Sequence, residues 1–455
     1  MEVEPLFHSL PNYWETVTLS EACKRGGGDI QTGPFGSQLH ASDYVPVGIP
    51  SIMPKNIGEN RVDTTDIARI TAEDAKRLSR YLVKPGDIVY SRRGDVERRA
   101  LIREEEDGWL CGTGCLRIRL GKGIVNPLYA FYYLGHPSIR DWIVRHAIGA
   151  TMPNLNTSIL SSLPFVVPHL DEQKAIAHIL GTLDDKIELN QQMNHTLEAI
   201  ARALFKSWFI DFDPVRAKMD GRQPAGMDAE TAALFPAEFE NSAIGKIPKN
   251  WKVKPIGDVV RAVGGATPST SEAEYWEGGT IYWSTPKDLA SLSSPVLLDT
   301  ERRITEKGLQ KISSGLLPKG TVLLSSRAPI GYLAIAEVPL AINQGYIAMV
   351  CDQELSNHYV LRWTQINMGI IEGRANGTTF MEISKKNFRA IPVLVPSQQV
   401  LEAFNEQAES IHQQVANNFY KNKTLTSIRN ALLPKLLSGK IRVKNIEVKI
   451  EGEDA

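Results

Sequence analysis

Arginines gather in one short segment of the sequence, just after a run of β-forming residues and a Pro-Gly turn. Within twelve residues the chain carries Arg92, Arg93, Arg98, Arg99 and Arg103. The guanidinium fork of arginine matches phosphate groups and also the edge of guanine. We therefore predict that Arg92, Arg93, Arg98 and Arg99 contact double-stranded DNA. The alternative interpretation is a solvated charged face.

A turn-rich loop earlier in the chain has the side chains for similar contacts. Between Thr32 and His40 the sequence combines Gly and Pro with hydroxyl, amide and imidazole groups. Turns of this kind expose backbone N–H groups, which bind phosphate, while polar side chains reach base edges. The candidate contact residues in this loop are Thr32, Ser37, Gln38 and His40.

Polar residues in the second half of the chain are candidates of the same kind. They are Ser326, Arg327, Asn343, Gln344, Lys385 and Lys386. Ser326 and Arg327 correspond in sequence to part of the arginine segment, which favours a shared role. The nearby pairs Tyr275-Trp276 and Tyr282-Trp283 are predicted to support the core or a loop.

The motifs of common catalytic sites are missing from the sequence. It has no GxxxxGK[ST] phosphate loop, no GxGxxG, no HExxH and no Asn/Asp-Pro-Pro-aromatic motif of an amino-methyltransferase. Its four cysteines lack zinc-site spacing, and we interpret them as buried thiols. We predict a chain without catalytic residues, metal or cofactor of its own. A concealed nuclease or methylase is the alternative.

Composition places the chain among ordinary globular proteins. Its 455 residues are enough for two or three folded units, and 51 Lys+Arg balance 52 Asp+Glu. A nucleic-acid partner must therefore meet a local positive field. The first ten residues, MEVEPLFHSL, are unlike a secretory signal, and no apolar run reaches the ~20 residues needed to span a bilayer. These features predict a cytoplasmic protein without a membrane partner.

The sequence contains an internal duplication. Gly149 aligns with Gly377, an offset of 228 that continues without a gap from Leu163-Pro164 over Ile391-Pro392 to Leu204 over Leu432. Further upstream the offset is 234, as in Gly86 over Gly320. Because the two copies account for most of the chain, we expect two similar folded domains.

Each copy ends in a long amphipathic segment with apolar residues at 3-4 spacing over five heptads. Both segments place two asparagines at the same central positions, which is typical of a device that fixes register in a coiled coil. We predict antiparallel pairing, in which the asparagines meet near the middle. The predicted seam is Ile176, Leu180, Leu183, Ile187, Asn190, Asn194, Leu197, Leu204, Phe404, Ile411, Val415, Asn418, Asn422, Leu425 and Leu432. Two separate helices, each packed on its own domain, are the alternative.

The predicted fold class is α+β, with two tandem α/β domains related by a pseudo-two-fold axis. Each domain is followed by a long helix, and the two helices pair as an antiparallel coiled coil. The predicted segments are a first domain at 1–169, helix 1 at 170–210, a connector at 211–248, a second domain at 249–397, helix 2 at 398–438 and a C-terminal tail at 439–455, of which residues 447–455 are acidic and loose.

This architecture and several short strings together resemble the specificity subunit of type I restriction-modification enzymes. Similar to that family's target-recognition domain are residues 30–37 (IQTGPFGS), 86–89 (GDIV), 150–155 (ATMPNL) and 164–168 (PFVVP). Residues 208–218 (WFIDFDPVRAK) resemble its central region. The likeness covers about residues 12 to 440. The second copy departs from it, with Thr267-Pro268-Ser269 in place of the Gly-Pro-Phe-Gly-Ser turn.

The resemblance implies a non-catalytic reader of DNA. Each domain would bind one half of a split, asymmetric sequence, and the helix pair would set the distance between the halves. Methylation subunits carrying S-adenosylmethionine would bind the helices, and restriction subunits using ATP and Mg²⁺ would join them. A methylation-only complex and a coiled-coil adaptor without DNA binding are the alternatives.

Overall fold

A computed structural model of the chain describes residues 10–58, 60–149, 153–377 and 381–443. Parts of the repeated loops, residues 150–152 and 378–380, lie outside the described residues. So do residues 444–455, which include the predicted acidic segment 447–455. The chain divides into two compact units, Met1–Ile187 with Lys423–Ala455, and Glu188–Asn422.

The first unit contains the first of the two predicted domains. Its strands are β1 (Glu15–Thr18), β2 (Asp29–Thr32), β3 (Tyr44–Val45), β4 (Ile49–Ile52), β5 (Ala68–Ile70), β6 (Ile88–Ser91), β7 (Arg99–Leu101), β8 (Leu110–Cys111), β9 (Cys115–Arg119) and β10 (Pro164–Val167). Its helices are α1 (Leu19–Arg25), α2 (Ala72–Arg77), α3 (Pro127–Leu134), α4 (Pro137–His146), α5 (Thr157–Ser162) and the start of α6 (Leu170–Phe209).

The described strands of this unit form an antiparallel four-stranded sheet, a mixed four-stranded sheet and a separate antiparallel strand pair. One sheet has the order β2-β9-β6-β7, another has the order β3-β5-β4-β8, and β1 pairs with β10. Helix α3 begins after Asn126, whose Oδ1 accepts the N–H of Tyr129 (3.0 Å), and a proline follows this cap. Its tyrosines pack on Phe165 of β10, with the Tyr133 ring centroid at 4.7 Å.

The second unit contains the connector and the second predicted domain. Its helices are the end of α6, α7 (Asp213–Met219), α8 (Ala229–Ala233), α9 (Pro286–Ala290), α10 (Glu306–Leu309), α11 (Asn357–Ile366), α12 (Met368–Gly373), α13 (Lys385–Arg389) and the start of α14 (Gln398–Leu437). Its strands are β11 (Phe239–Ser242), β12 (Gly245–Pro248), β13 (Lys252–Pro255), β14 (Arg261–Val263), β15 (Ile281–Ser284), β16 (Val296–Leu297), β17 (Arg302–Ile304), β18 (Val322–Ser326), β19 (Ile330–Ala336), β20 (Leu340–Ile342), β21 (Tyr346–Val350) and β22 (Pro392–Val395).

The second domain repeats the plan of the first. Its larger sheet has the order β14-β21-β18-β19-β16, its smaller sheet has the order β17-β15-β20, and β13 pairs with β22 as β1 pairs with β10. The two domains also share an isolated β-bridge, in which Arg93 pairs with Asn154 in the first domain and Arg327 pairs with Glu382 in the second. Arg327 and Glu382 are the equivalents of Arg93 and Asn154 at the offsets of 234 and 228. The α+β duplication predicted from the sequence is therefore confirmed.

The connector is folded rather than extended. Helices α7 and α8 and the β11-β12 hairpin belong to the second unit. Val215, Phe235 and Ile247 are buried in one cluster with Trp251. Burial of these apolar side chains fixes the connector to the domain that follows it.

The two long helices pack together antiparallel, as the sequence predicts. In the second unit, Asn190 Nδ2 donates to Asn422 Oδ1 (2.7 Å) and Asn418 Nδ2 donates to Asn194 Oδ1 (2.8 Å). The residue numbers rise along α6 as they fall along α14. In the first unit, Arg429 of α14 pairs with Asp184 of α6 (2.6 Å), which continues the same direction. Satisfied amide pairs avoid the cost of a buried polar group without a partner.

None of the predicted seam residues is exposed, but they are buried to different degrees. Buried are Ile176, Leu180, Asn190, Asn194, Phe404, Val415 and Asn418, and half-buried are Leu183, Ile187, Leu197, Leu204, Ile411, Asn422, Leu425 and Leu432. The heptad pattern missed Glu198 and Phe205, the buried neighbours of Leu197 and Leu204. A straight helix drifts about 20° per heptad, and the second recognition domain covers this side of α6.

All four cysteines are free thiols. Cys23, Cys111 and Cys115 are buried and Cys351 is half-buried. Burial raises the pKa of the Cys23 thiol to about 12. Within the described ranges, no group of three or more His, Cys, Asp or Glu side chains is arranged to hold a metal ion. The same ranges contain no helix with the length and apolar character to cross a membrane.

Glu337 links the loop after β19 to α14 and predicts a pH dependence. His412 Nε2 donates to its Oε1 (2.7 Å) and Lys319 Nζ lies 2.9 Å from its Oε2. Burial raises the pKa of Glu337, but these two hydrogen bonds outweigh it and hold the pKa at about 2. Because this pKa is below the usual value, the carboxylate stabilises the fold above about pH 4.5 and loses that contribution as the pH falls towards 2.

We expect Glu337→Gln to lower the urea midpoint of unfolding near neutral pH. The difference from wild type should shrink as the pH is lowered from 5 towards 2. Glu277→Gln, at an exposed glutamate of the same unit, is the control and should leave the midpoint unchanged. A wild-type advantage that grows on acidification would contradict the assignment.

Candidate nucleic-acid interface

In the first domain, the ends of three strands and one loop come together. The N–H of Gly33, after β2, donates to Cys115 O at the start of β9 (3.0 Å). Thr113 Oγ1 donates to Pro34 O (3.1 Å), and the Arg92 guanidinium lies 5.9 Å from the centre of the Phe35 ring. These contacts hold the loop beside the end of β6.

We call the exposed and half-exposed side chains at this place the first strand-end surface. It consists of Phe35, Ser37, Arg92, Arg93 and Thr113. Phe35 is 53% exposed although it is a large apolar residue, so its ring is open to a partner. The close approach of the strands requires glycine at Gly33, since a Cβ there would lie 2.1 Å from Gly112 O.

Two loop residues of the sequence prediction have structural contacts. Gln38 Oε1 accepts hydrogen bonds from the N–H of Phe35 (3.1 Å) and the hydroxyl of Tyr81 (2.8 Å), so its side chain holds the loop. The N–H of His40 donates to Asp43 Oδ2 (2.8 Å), and its imidazole is exposed. Thr32 pairs with β9 and is half-buried.

The arginine segment does not form one continuous edge. Arg92 Nε donates to Asn154 Oδ1 (3.4 Å) and stays at the strand-end surface with Arg93. Arg98 pairs with Asp95 (3.1 Å) on the turn between β6 and β7. Arg99 donates its Nε to Phe131 O on α3 (3.1 Å) and is not brought to that surface.

The second domain gathers the corresponding residues at the same strand ends. The N–H of Ser326, at the end of β18, donates to Gly345 O (2.8 Å), and Thr267 Oγ1 donates to Gln344 Oε1 (2.7 Å). Asn343 Oδ1 accepts the N–H of Gly345 (2.9 Å). Ser326 is buried, so it supports this arrangement rather than facing solvent.

We call the accessible residues here the second strand-end surface: Thr267, Arg327, Asn343, Gln344 and Lys385. Arg327 lies 3.6 Å from Glu382, where the first copy has a neutral asparagine. The side-chain amide nitrogens of Asn343 and Gln344 have no acceptor among the described residues. Amides of this kind read adenine through paired donor and acceptor groups. Lys386 is exposed beside Lys385 on α13.

The sequence interpretation missed a stacked cation in the second domain. The Arg302 guanidinium lies 3.6 Å from the centre of the Trp276 ring and 5.3 Å from that of Trp283. Trp276 and Trp283 donate their indole N–H groups to Ser269 O and Ala266 O, so they also support the loop, as predicted. Only the pairing of β17 with β15 brings Arg302 opposite Trp283, and the sequence alone does not specify that register.

The duplicated domains and the helix pair match a known family. The profile of the type I restriction modification DNA specificity domain matches residues 11–199 and 248–421. The chain belongs to this family. It is a DNA sequence-specificity subunit, a recognition component without catalytic activity of its own, as the resemblance implied.

Individual relatives match either most of the chain or about a third of it. The specificity subunit of the HindI type I restriction enzyme from Haemophilus influenzae is 27% identical over 86% of this chain and 95% of its own length. The MjaIX specificity subunit from Methanocaldococcus jannaschii is 43% identical over 35% of this chain and 37% of its own length. A type I specificity subunit from M. genitalium, at 16% identity, shares the fold over 95% of this chain and 98% of that chain, with a TM-score of 0.58.

Proposed function

We propose that each recognition domain of this specificity subunit binds one half of a split DNA sequence through its strand-end surface. The observation that carries the proposal is the presence of two equivalent surfaces with different side chains. The first surface contains Phe35, Arg92 and Thr113, and the second surface contains Thr267, Asn343 and Gln344. Different donors and acceptors read different bases, so the two half-sites differ and the target is asymmetric.

The positive charge on these surfaces is local, in a chain whose net charge is −1. Arg92 and Arg93 belong to the first surface, Arg327 and Lys385 belong to the second, and Lys386 is exposed beside Lys385. Such cations bind phosphates and orient the duplex, while the amide and hydroxyl groups beside them select bases. Arg302, stacked on Trp276, adds a cation whose orientation is already fixed before DNA binds.

We further propose that the paired helices set the gap between the half-sites and carry the partner subunits. Each helix is 40 residues long, which is about 60 Å at 1.5 Å per residue. Methylation subunits with S-adenosylmethionine would bind the helices, and restriction subunits would use ATP and Mg²⁺. The predicted cytoplasmic location is part of this proposal.

Single arginine substitutions test whether each domain recognises its own half-site. We expect Arg92→Ala to lower the base specificity or the occupancy at one half-site of the methylated sequence. Arg327→Ala should have the same effect at the other half-site. Each should lower site occupancy about tenfold, because a lost bidentate contact is worth about 1–3 kcal/mol. The measurement is genome-wide mapping of methylated bases in cells that also contain the methylation subunits.

Arg222→Ala provides a matched control. Arg222 is an exposed arginine of the connector that pairs with Asp220 (2.8 Å). Its replacement should leave both half-sites and their occupancy unchanged. If Arg92→Ala and Arg327→Ala each altered both halves alike, the assignment of one half-site to each domain would fail.

A further inference from the structure

A charged cleft of about 630 Å³ opens in the first unit, and none of the residues of the first strand-end surface lines it. It lies beside α3 and α4, where residues of α6 and α14 form one wall. Four arginines and three carboxylates line it: Arg98, Arg99, Arg140, Arg429, Asp95, Glu97 and Asp184. The cleft therefore has one more arginine than it has carboxylates.

Three of the arginines are neutralised within the cleft. The pairs are Arg98 with Asp95 (3.1 Å), Arg140 with Glu97 (2.8 Å) and Arg429 with Asp184 (2.6 Å). These pairs use all three carboxylates. The fourth arginine, Arg99, has no carboxylate within ion-pair distance in the part of the chain that the structure describes.

Arg99 is held in place although its charge is unpaired. Its Nε donates to Phe131 O (3.1 Å), and its guanidinium carbon lies 4.8 Å from the centre of the Phe131 ring. Its terminal nitrogens have no acceptor among the described residues. Gly135 makes room for the group, because a Cβ there would lie 1.8 Å from Arg99 Nη2. Burial lowers the pKa of Arg99, as does the nearby charge of Arg140.

The fold itself does not require a charge at this position. The β6-β7 pair aligns Ile88 with Leu101, and the β18-β19 pair aligns Val322 with Ile335, so the two hairpins keep the offset of 234. The equivalent of Arg99 is therefore Leu333, which packs against an apolar cluster. An uncompensated arginine at a site where leucine serves the same fold destabilises the protein unless a ligand satisfies it.

We propose that this cleft binds a phosphate group and that Arg99 is the residue that pairs with it. One unpaired guanidinium with free terminal N–H groups matches a single phosphoryl oxyanion in a bidentate arrangement. The volume is in the range of pockets that hold ligands of nucleotide size. The phosphate belongs either to a free phosphate ester or to the backbone of bound DNA, and the chemistry of the contact is the same.

Titration of the full chain with inorganic phosphate, at constant ionic strength in a calorimeter, tests the proposal. Wild type should bind one phosphate per chain with saturation. Arg99→Leu should weaken that binding at least tenfold, because it removes the only arginine of the cleft that lacks a carboxylate among the described residues. Without phosphate, Arg99→Leu should unfold at the same urea concentration as wild type or a higher one, since the second copy carries leucine there.

Two further variants separate the charge from its surroundings. Arg98→Leu removes an exposed arginine that is already paired in the same cleft, and we expect phosphate binding within about twofold of wild type. Gly135→Ala keeps Arg99 but places a methyl group at its Nη2, and should weaken phosphate binding as Arg99→Leu does. Equal phosphate binding by wild type and Arg99→Leu, or no saturable binding by wild type, would overturn the proposal.

A competition titration identifies the source of the phosphate. If a DNA duplex displaces inorganic phosphate from wild type, the cleft holds a backbone phosphate. If the duplex and phosphate bind together, the ligand is a free phosphate ester. Either result supports the site. The half-site maps of Arg92→Ala and Arg327→Ala are read separately, so failure of the cleft proposal is distinct from failure of the proposed function.

Discussion

Removal of one heptad from both long helices should shorten the preferred gap between the two half-sites by about three base pairs. Seven helical residues correspond to about 10 Å, and base pairs are spaced by 3.4 Å. Suitable segments are 187–193 in α6 and 419–425 in α14, which face each other in the antiparallel pair. Their removal keeps the heptad phase, the amide pair of Asn194 with Asn418 and the ion pair of Asp184 with Arg429.

Two matched variants serve as controls for this experiment, in which the gap is measured by mapping the methylated sequences. Duplication of the same two segments should lengthen the gap by about three base pairs. Deletion of 187–193 from α6 alone removes Asn190, leaves Asn422 without that amide partner and makes the two helices unequal in length, so we expect methylation to be lost rather than shifted. A methylated sequence whose gap is unchanged in the doubly shortened chain would rule out the helix pair as the spacer.

Loss of one partner of the buried ion pair between Glu198 and Arg362 should destabilise the second unit by about 3–5 kcal/mol. Arg362 Nη1 and Nη2 donate to the two carboxylate oxygens of Glu198, at 2.7 and 3.1 Å, and both residues are buried. The pair joins α11 of the recognition domain to α6. Removal of either side chain leaves the other charge buried without its partner, which costs more than the pair itself contributes.

Urea unfolding of Arg362→Ala, Glu198→Ala and the double variant Glu198→Leu/Arg362→Met measures this effect. We expect each single change to lower the free energy of unfolding strongly and the apolar double variant to restore most of it. Arg261→Ala, which breaks an exposed pair with Asp352 (3.0 Å), is the control and should cost less than about 1 kcal/mol. Single variants as stable as this control would contradict the structural role.

The parts of the fold that repeat in sequence were predictable. Periodicity and the shared asparagines predicted the two helices and their antiparallel pairing, because a buried amide must meet another polar group. Glu198 and His412 were not singled out, since each lies beside the heptad seam and is buried only by its contact with the recognition domain. Their partners, Arg362 and Glu337, are distant in sequence.

The candidate interface was predictable in outline but not side chain by side chain. The loop of Gly33 and the residues after β6 come together because neighbouring strands of one sheet end there. The direction in which each arginine side chain points depends on the strand pairing, which the sequence does not specify. Arg92 stays beside Phe35, whereas Arg99 turns towards Phe131. Arg302 became a candidate DNA contact only because the structure places it opposite Trp283.

The map of methylated bases in cells that contain the methylation subunits, with and without this chain, tests the central claim most directly. We expect the chain to direct methylation to one sequence made of two different short parts, separated by a gap of fixed length and any composition. Methylation of a single uninterrupted sequence, or of the same sites in the absence of the chain, would contradict it.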